Sequence, residues 1–374
     1  MNAPRRAQPQ LAVDTYLNAQ GTLDSAGALG LAWTSDERAH LALNVEELVA
    51  LALRREADLG LPEVYRYAVH DPYGSSASAP VLSAYFGVEI APDSVFCGAG
   101  VAGLLAAIAP MAELGNACLL GALYPDFLVW LRRAGARYEW LADLELEGSH
   151  HSRLEAAGAS LVFLERPALL GSKLDELSAV NELCGAAAAC GAVVVIDESN
   201  ANYCAPSFSA ARLTGEVDNL IVLRGMSKAF GLGGLRVAWA IASPALHARL
   251  RALIAPLQVS SLSIALAAAL LERGDICAPL RARLGECKAR ARPWVERAQI
   301  PGKMLENARL PYFLFEDAPS AKAAFEVRGI IGKMHPVWTH PGEDVAWLYR
   351  LSVPLDEHRL LLFHAKLTEL VQPR

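Results

Sequence analysis

The chain has 374 residues, 53% hydrophobic and 20% charged, with a net charge of −6. This is a globular composition, long enough for one large domain and a smaller one, and it offers neither a basic surface for nucleic acid nor a polyanionic tail. No run of about 18 apolar residues exists to cross a membrane, and the opening MNAPRRAQPQLAVDTYLNAQ lacks an apolar stretch with a cleavage site, so a cytoplasmic protein is expected.

From about residue 78 to 242, short apolar runs alternate with helix-like stretches. VLSAYFGV (81–88) reads as a helix, DSVFCGAG (93–100) as a strand, VAGLLAAIAPMAEL (101–114) as a helix and ACLLGALYP (117–125) as a strand. DFLVWLRRAGA (126–136) reads as a helix and RYEWLA (137–142) as a strand. ASLVFLERP (159–167) is a predicted strand, KLDELSAVNELCGAAAACG (173–191) a helix, and AVVVIDES (192–199), NLIVLRG (219–225) and RVAWAIA (236–242) are strands. Such alternation predicts an α/β fold, a mostly parallel sheet with helices on both faces. Ligands of such sheets bind beyond the carboxyl ends of the strands.

After Pro244 the pattern changes. PALHARLRALIAPL (244–257), SLSIALAAALLERG (261–274) and a basic stretch ending near Arg292, before Pro293, read as helices. PYFLFED (311–317) and WLYRLSVP (347–354) read as strands, and EHRLLLFHAKLTELV (357–371) as a closing helix. Residues 46–249 are therefore read as the large domain and 250–374 as a smaller α+β domain, against which segment 1–45 packs. Arg328, Lys333, His335 and His340 fall in a stretch without periodicity and read as surface residues.

The seven cysteines stand singly with no C-x-x-C, which fits neither a disulfide framework nor a zinc site. His150 and His151, with Glu147 and Glu155 at helical spacing, invite a metal reading, but Gly148 and Ser149 favour a loop there, and no metal is expected.

Three strand ends carry chemistry. Gly98-Ala99-Gly100-Val101-Ala102-Gly103 is a G-x-G-x-x-G at the start of a helix, where backbone N–H groups suit a phosphate, a nicotinamide dinucleotide or a merely structural turn. Asp197 and Glu198 follow a buried Val-rich run, where a carboxylate needs a fixed partner or caps a helix. Ser227, Lys228 and Arg236 surround a glycine-rich loop, placing a hydroxyl, an amine and a guanidinium where a phosphate monoester beside a carbonyl would sit. One cofactor uses all of these groups: pyridoxal 5'-phosphate.

The stretch SKAFGLGGLRVAW (227–239) closely resembles the lysine signature S-K-x-F-G-[LM]-x-G-x-R-[VIL]-G of fold-type I pyridoxal-phosphate enzymes, in the class I/II aminotransferase group that includes histidinol-phosphate aminotransferase. Weaker motifs extend the resemblance over about residues 60–360, in the family's order. The resemblance implies that Lys228 forms the Schiff base with the cofactor and that Asp197 pairs with its pyridine nitrogen. Ser227, Arg236 and the backbone of Ala99, Gly100, Val101 and Ala102 would hold the phosphate. Tyr124, or failing it Phe127, would stack on the ring, Tyr67 would reach the phosphate of a neighbouring subunit in a homodimer, and Arg350 would bind the substrate α-carboxylate.

The chain also departs from that pattern. ERPALLGSKL (165–174) replaces the family's asparagine-bearing turn, putting Ala168 or Leu169 where a donor to the cofactor's phenolic oxygen belongs. Asn200 replaces the tyrosine that shares that oxygen, so Asn200 or Asn202 is expected to take over, and Gly225 stands where a hydroxyl donor is frequent. These residues imply a divergent aminotransferase acting on an α-amino acid and a 2-oxo acid, in the making of a nonstandard amino acid. A pyridoxal-phosphate lyase, decarboxylase or cyclase, and a noncatalytic binding protein of the same fold, remain as alternatives.

Overall fold

The computed structural model describes residues 27–58, 67–112, 115–141, 150–337 and 346–368. The Val- and Leu-rich runs of the middle region form β2 (Val95–Ala99), β3 (Asn116–Leu120), β4 (Arg137–Trp140), β5 (Ala159–Glu165), β6 (Val193–Asp197), β7 (Leu220–Gly225) and β8 (Val237–Ala242). They build one sheet in the order β2-β8-β7-β6-β5-β3-β4. The strands from β7 to β4 run parallel, while β8 is antiparallel to both its neighbours. Alternate residues of each strand enter different cores: Val162, Val194 and Val222 on one face, Phe163, Val195 and Ile221 on the other. Helices cover both faces, Leu177–Ala189 and Ser261–Leu271 on the first, Gly100–Ile108 and Asp126–Arg133 on the second. Two buried faces explain why these strands read as unbroken apolar runs.

A second, antiparallel sheet of β9 (Met304–Leu305), β10 (Tyr312–Phe315), β12 (Lys333–Val337) and β13 (Ala346–Ser352) follows the order β12-β13-β10-β9. The short β1 (Leu29–Gly30) pairs in parallel with β11 (Ile330–Ile331), and the Ser352 N–H donates to Leu31 O at 2.8 Å. Residues from opposite ends of the chain thus border the same sheet.

Several elements differ from expectation. The basic helix spans Ala278–Arg297 and passes through Pro293. Burial of Ala291 and Val295 on one face holds it together across the missing N–H. His150 begins a helix, His150–Ala156, whose buried Leu154 packs on the core, and His151 reaches Cys190 Sγ at 3.2 Å; Glu147, Gly148 and Ser149 lie outside the described residues. Among the described residues no group of His, Cys, Asp and Glu is arranged to hold a metal, and no helix is long and apolar enough to cross a membrane. β3 stops at Leu120 because Gly121 turns the chain with φ of 73°, so Tyr124 lies in a connection rather than on a strand. Helices Val45–Asp58 and Ala318–Glu326 and strand β12 were not legible as periodic runs. Residues 1–26, His340 and residues 369–371 of the expected closing helix lie outside the described residues.

One buried polar cluster ties the sheet's carboxyl edge together. Glu198, fully buried, is gripped by Arg166 Nη1 at 3.0 Å and Arg224 Nη1 at 3.3 Å. It also accepts bonds from the Ser209 hydroxyl at 2.5 Å and the Ala210 N–H at 2.7 Å. Removing the carboxylate would leave two guanidiniums buried without a counter-charge. Glu198→Ala is therefore expected to lower stability by about 3–5 kcal/mol, read as a drop in the urea unfolding midpoint. A variant that unfolds at the parent's midpoint would refute the dependence on this cluster.

Candidate active site

A cavity of about 490 Å³ opens at the carboxyl ends of β5, β6 and β7, with β12 and β13 supplying its far wall. Lys228, Asp197, Asn200, Ser227, Arg236 and Tyr124, each singled out in the sequence, all border it. Arg350, Val101 and Ala102 do so as well.

The glycine-rich motif divides its work. A Cβ on Gly98 would lie 2.4 Å from Leu104 Cδ2, so this glycine serves packing. Gly100, with φ of 76°, lies under Arg236, whose Nη2 would be 2.4 Å from a Cβ there. Only glycine lets the guanidinium lie across the start of helix Gly100–Ile108, where Arg236 Nη2 donates to Ala99 O at 3.1 Å. The N-cap Ala99 offers no side-chain acceptor, so the first-turn N–H groups remain available to an anion. β2 is an edge strand, paired only with antiparallel β8, and β3 lies across the sheet, which is not the adjacent-strand unit of a dinucleotide site.

Lys228 sits in the turn after β7. Its side chain is half-buried by exposure because it borders the cavity, yet its amine is enclosed by protein. Burial first, and then the Arg350 charge, push this amine down to about 8. Asp197 is buried, and its Oδ1 accepts from the Ser199 N–H at 2.8 Å and from the Ser199 hydroxyl. Burial raises this carboxyl, and the Ser199 bonds oppose the rise.

The two asparagines separate. Asn202 is committed elsewhere: its Nδ2 donates to Gly225 O at 2.7 Å and Lys228 O at 3.4 Å, and its Oδ1 accepts from Arg224 Nη2 at 2.6 Å. It braces the lysine turn and is not free to serve a ligand. The Asn200 side-chain oxygen, by contrast, is buried without a partner at the cavity. Phe127 is buried against Phe163, 4.2 Å between ring centroids, and lies outside the cavity. Tyr67 is 81% exposed and borders a different cavity, beside Asp71 and Leu257.

Three cavity residues, Lys333, His335 and Glu165, did not stand out as such in the sequence. Lys333 and His335, read as surface residues, project from β12 into the cavity, while Arg328 stays half-buried beside Ala324 O. Lys333 lies over the Trp33 ring at 4.1 Å, and burial followed by the Arg350 charge pushes its amine down to about 7. Burial pushes His335 down to about 3, which leaves a neutral imidazole. Arg350, itself buried, stacks on Tyr312 at 4.3 Å and donates to Ala32 O at 3.1 Å. Glu165 closes β5 at the cavity as Asp197 closes β6, and an acid ending the apolar run ASLVFLE was the available signal.

Residues 173–335 match the family Aminotransferase class I and II. A histidinol-phosphate aminotransferase of Chromobacterium violaceum is 30% identical over 297 residues, covering 75% of this chain and 79% of that protein. That of Thermoanaerobacter pseudethanolicus is 33% identical over 141 residues, 37% of this chain and 39% of the other. In fold, the chain is similar to histidinol-phosphate aminotransferase from Sinorhizobium meliloti in complex with pyridoxal-5'-phosphate, with a TM-score of 0.70 at 19% identity over 97% of this chain and 95% of that one. It is also similar to L-threonine-O-3-phosphate decarboxylase from Porphyromonas gingivalis, with a TM-score of 0.65 at 14% identity over 91% and 98%.

The lowered amines make a test that needs no ligand. Only a neutral amine acylates, so competitive labelling of the apoprotein with acetic anhydride, read by peptide mass spectrometry, should rise through a midpoint near pH 8 at Lys228 and near pH 7 at Lys333. Midpoints at about 10.4, as for a free lysine, would contradict the enclosed setting of both.

Proposed function

The chain belongs to the class I and II aminotransferases, enzymes of fold type I that depend on pyridoxal phosphate, and from that premise we propose that this cavity moves an amino group from an α-amino acid to a 2-oxo acid with Lys228 at its centre. The observation that carries the reading is the convergence of an enclosed amine of lowered basicity, a buried carboxyl and an uncapped helix start beneath an arginine.

The residues present fit that cofactor. Gly100 leaves room for the Arg236 guanidinium at the helix start, the Asn200 amide borders the cavity with its oxygen unpartnered, and Ser227 and Arg236 supply donors for a phosphate. When bound, pyridoxal phosphate supplies an aldehyde for amines and a ring that takes up the electron pair left at the substrate Cα. In this reading Lys228 would hold the cofactor, and its Nζ would take the proton from Cα and return one as general base and acid. Asp197 would keep the ring nitrogen protonated, the Asn200 amide N–H would donate to the phenolic oxygen, and Tyr124 would cover the ring. Arg350, held by Tyr312 and Ala32 O, binds the α-carboxylate through its guanidinium.

We also propose a cytoplasmic setting and a part in the making of a nonstandard amino acid. The departures at 165–174 and at Asn200 support it, and so does a cavity wall bearing Lys333 and His335. A homodimer is proposed on the exposure of Tyr67 at 81% and Val69 at 73%, which leaves an apolar face for a second copy. The decarboxylase fold neighbour supports one alternative, loss of carbon dioxide from the same substrate class. Mixing the holoenzyme with a panel of amino acids separates the two, since a 2-oxo acid forms in one and carbon dioxide in the other.

Lys228→Ala should abolish turnover, and borohydride treatment of the holoenzyme should leave the pyridoxyl label on the peptide containing Lys228. A label on any other lysine defeats the assignment. Asp197→Asn should retain the cofactor, because the phosphate donors are untouched, and lose turnover by about 100-fold or more. Near-normal turnover in that variant would remove Asp197 from the proposed role.

A further inference from the structure

β5 and β6 end side by side, and both end in acids. Leu161, Phe163 and Glu165 pair in register with Val193, Val195 and Asp197. The four apolar residues face the same core, so the two-residue period turns both carboxyls to that side, on strands about 4.8 Å apart. Both border the cavity, and no other carboxylate among the described residues does.

Their donors are unequal. Asp197 receives two bonds from Ser199, one from the N–H and one from the hydroxyl. Glu165 receives the backbone N–H of Tyr124. Two carboxyls on paired strands at one enclosed site do not both ionise, and the proton stays on the one whose anion is less well served by donors.

We propose that Glu165 keeps this proton and, as a neutral carboxylic acid, holds Asp197 in the ionised form that the cofactor's ring nitrogen requires. The functional half of this statement rests on the proposed role of Asp197. Glu165 is a positioning residue, since it acts through Asp197. Burial first, and the Asp197 charge second, push Glu165 up to about 8. The groups facing it are Asp197 from β6, Lys228 from the turn after β7, Arg350 from β13 and the Tyr312 phenol from β10. The two cations pull it down and do not overcome burial. At neutral pH the acid therefore holds its proton, and above about pH 8 it loses it, placing a second anion beside Asp197.

The test begins without cofactor. Apoprotein carrying carboxyl-¹³C glutamate should show one resonance titrating near pH 8 that is absent from Glu165→Gln. In Asp197→Asn the same resonance should titrate at least about one pH unit lower, because its like-charged neighbour is gone; this also assigns the resonance should Glu165→Gln fail to fold. In the holoenzyme, Glu165→Gln should lack the absorbance step that the parent shows as Glu165 ionises. A Glu165 resonance in the ordinary range near pH 4.3, or a midpoint unmoved by Asp197→Asn, overturns the proposal. The premise fails separately: if Asp197→Asn leaves the bound cofactor's spectrum unchanged, Asp197 does not serve the ring.

Discussion

Two consecutive acids at the end of β6 point in opposite directions, and the site depends on that divergence. Asp197 turns to the cavity, while Glu198 turns to the interior and is held there by Arg166 and Arg224. An isolated carboxylate in that position would cost several kcal/mol, and two guanidiniums, a hydroxyl and an N–H offset the cost. Each arginine then acts at a distance. Arg166 ties down Leu174 O, Asp175 O and Phe208 O, fixing the segment that replaces the family's asparagine-bearing turn. Arg224 holds Asn202, and Asn202 holds the carbonyls at both ends of the turn that carries Lys228. A hydroxyl at position 225 is not needed for that brace. It would also be crowded, because a Cβ on Gly225 would lie 3.0 Å from Val101 Cγ2.

The cavity is a balance of unlike charges in a partly enclosed setting. Lys228, Arg236, Lys333 and Arg350 face two carboxyls, so the excess is positive and suits anionic ligands. The cations also repel one another: the Arg350 charge depresses both Lys228 and Lys333, after burial has done so first. Arg350 remains fixed because Tyr312 and Ala32 O hold it. A lysine that is neutral for part of its time near neutral pH suits attack on a carbonyl and removal of a proton. Such depression requires the small sheet as well as the large one, because Arg350 comes from β13.

Much of this architecture was legible from order along the chain. Apolar runs of strand length, separated by helix-length stretches, define the large sheet because two buried faces demand unbroken hydrophobicity. The runs ending in Asp197 and preceding Lys228 are of this kind, so those residues stood out as charges where charge is costly. Glu165 ends the apolar run ASLVFLE in the same way, but Arg166 and Pro167 follow it directly, so in sequence it reads as the start of a polar turn. β12 left no pattern: its residues are all half-buried, with Gly332 before it and Pro336 within it, so neither alternation nor an apolar run marks it. Helix Ala278–Arg297 ran past a proline, since side-chain packing outweighed one lost hydrogen bond.

The sequence by itself determined the class of fold and the family, and it singled out Lys228 and Asp197 as charges at strand ends, because these depend on local runs and on residues close together in the chain. Tertiary structure decided what lies opposite them. It brought Lys333, His335 and Arg350 across the cavity from Lys228, set Glu165 beside Asp197, and separated Asn200 from Asn202, two residues apart yet one facing the cavity and the other bracing a turn. Basicity followed from the same assembly, since an amine or carboxyl is shifted by the dielectric and the charges around it, and those come from other strands, as Arg350 of β13 does for Lys228.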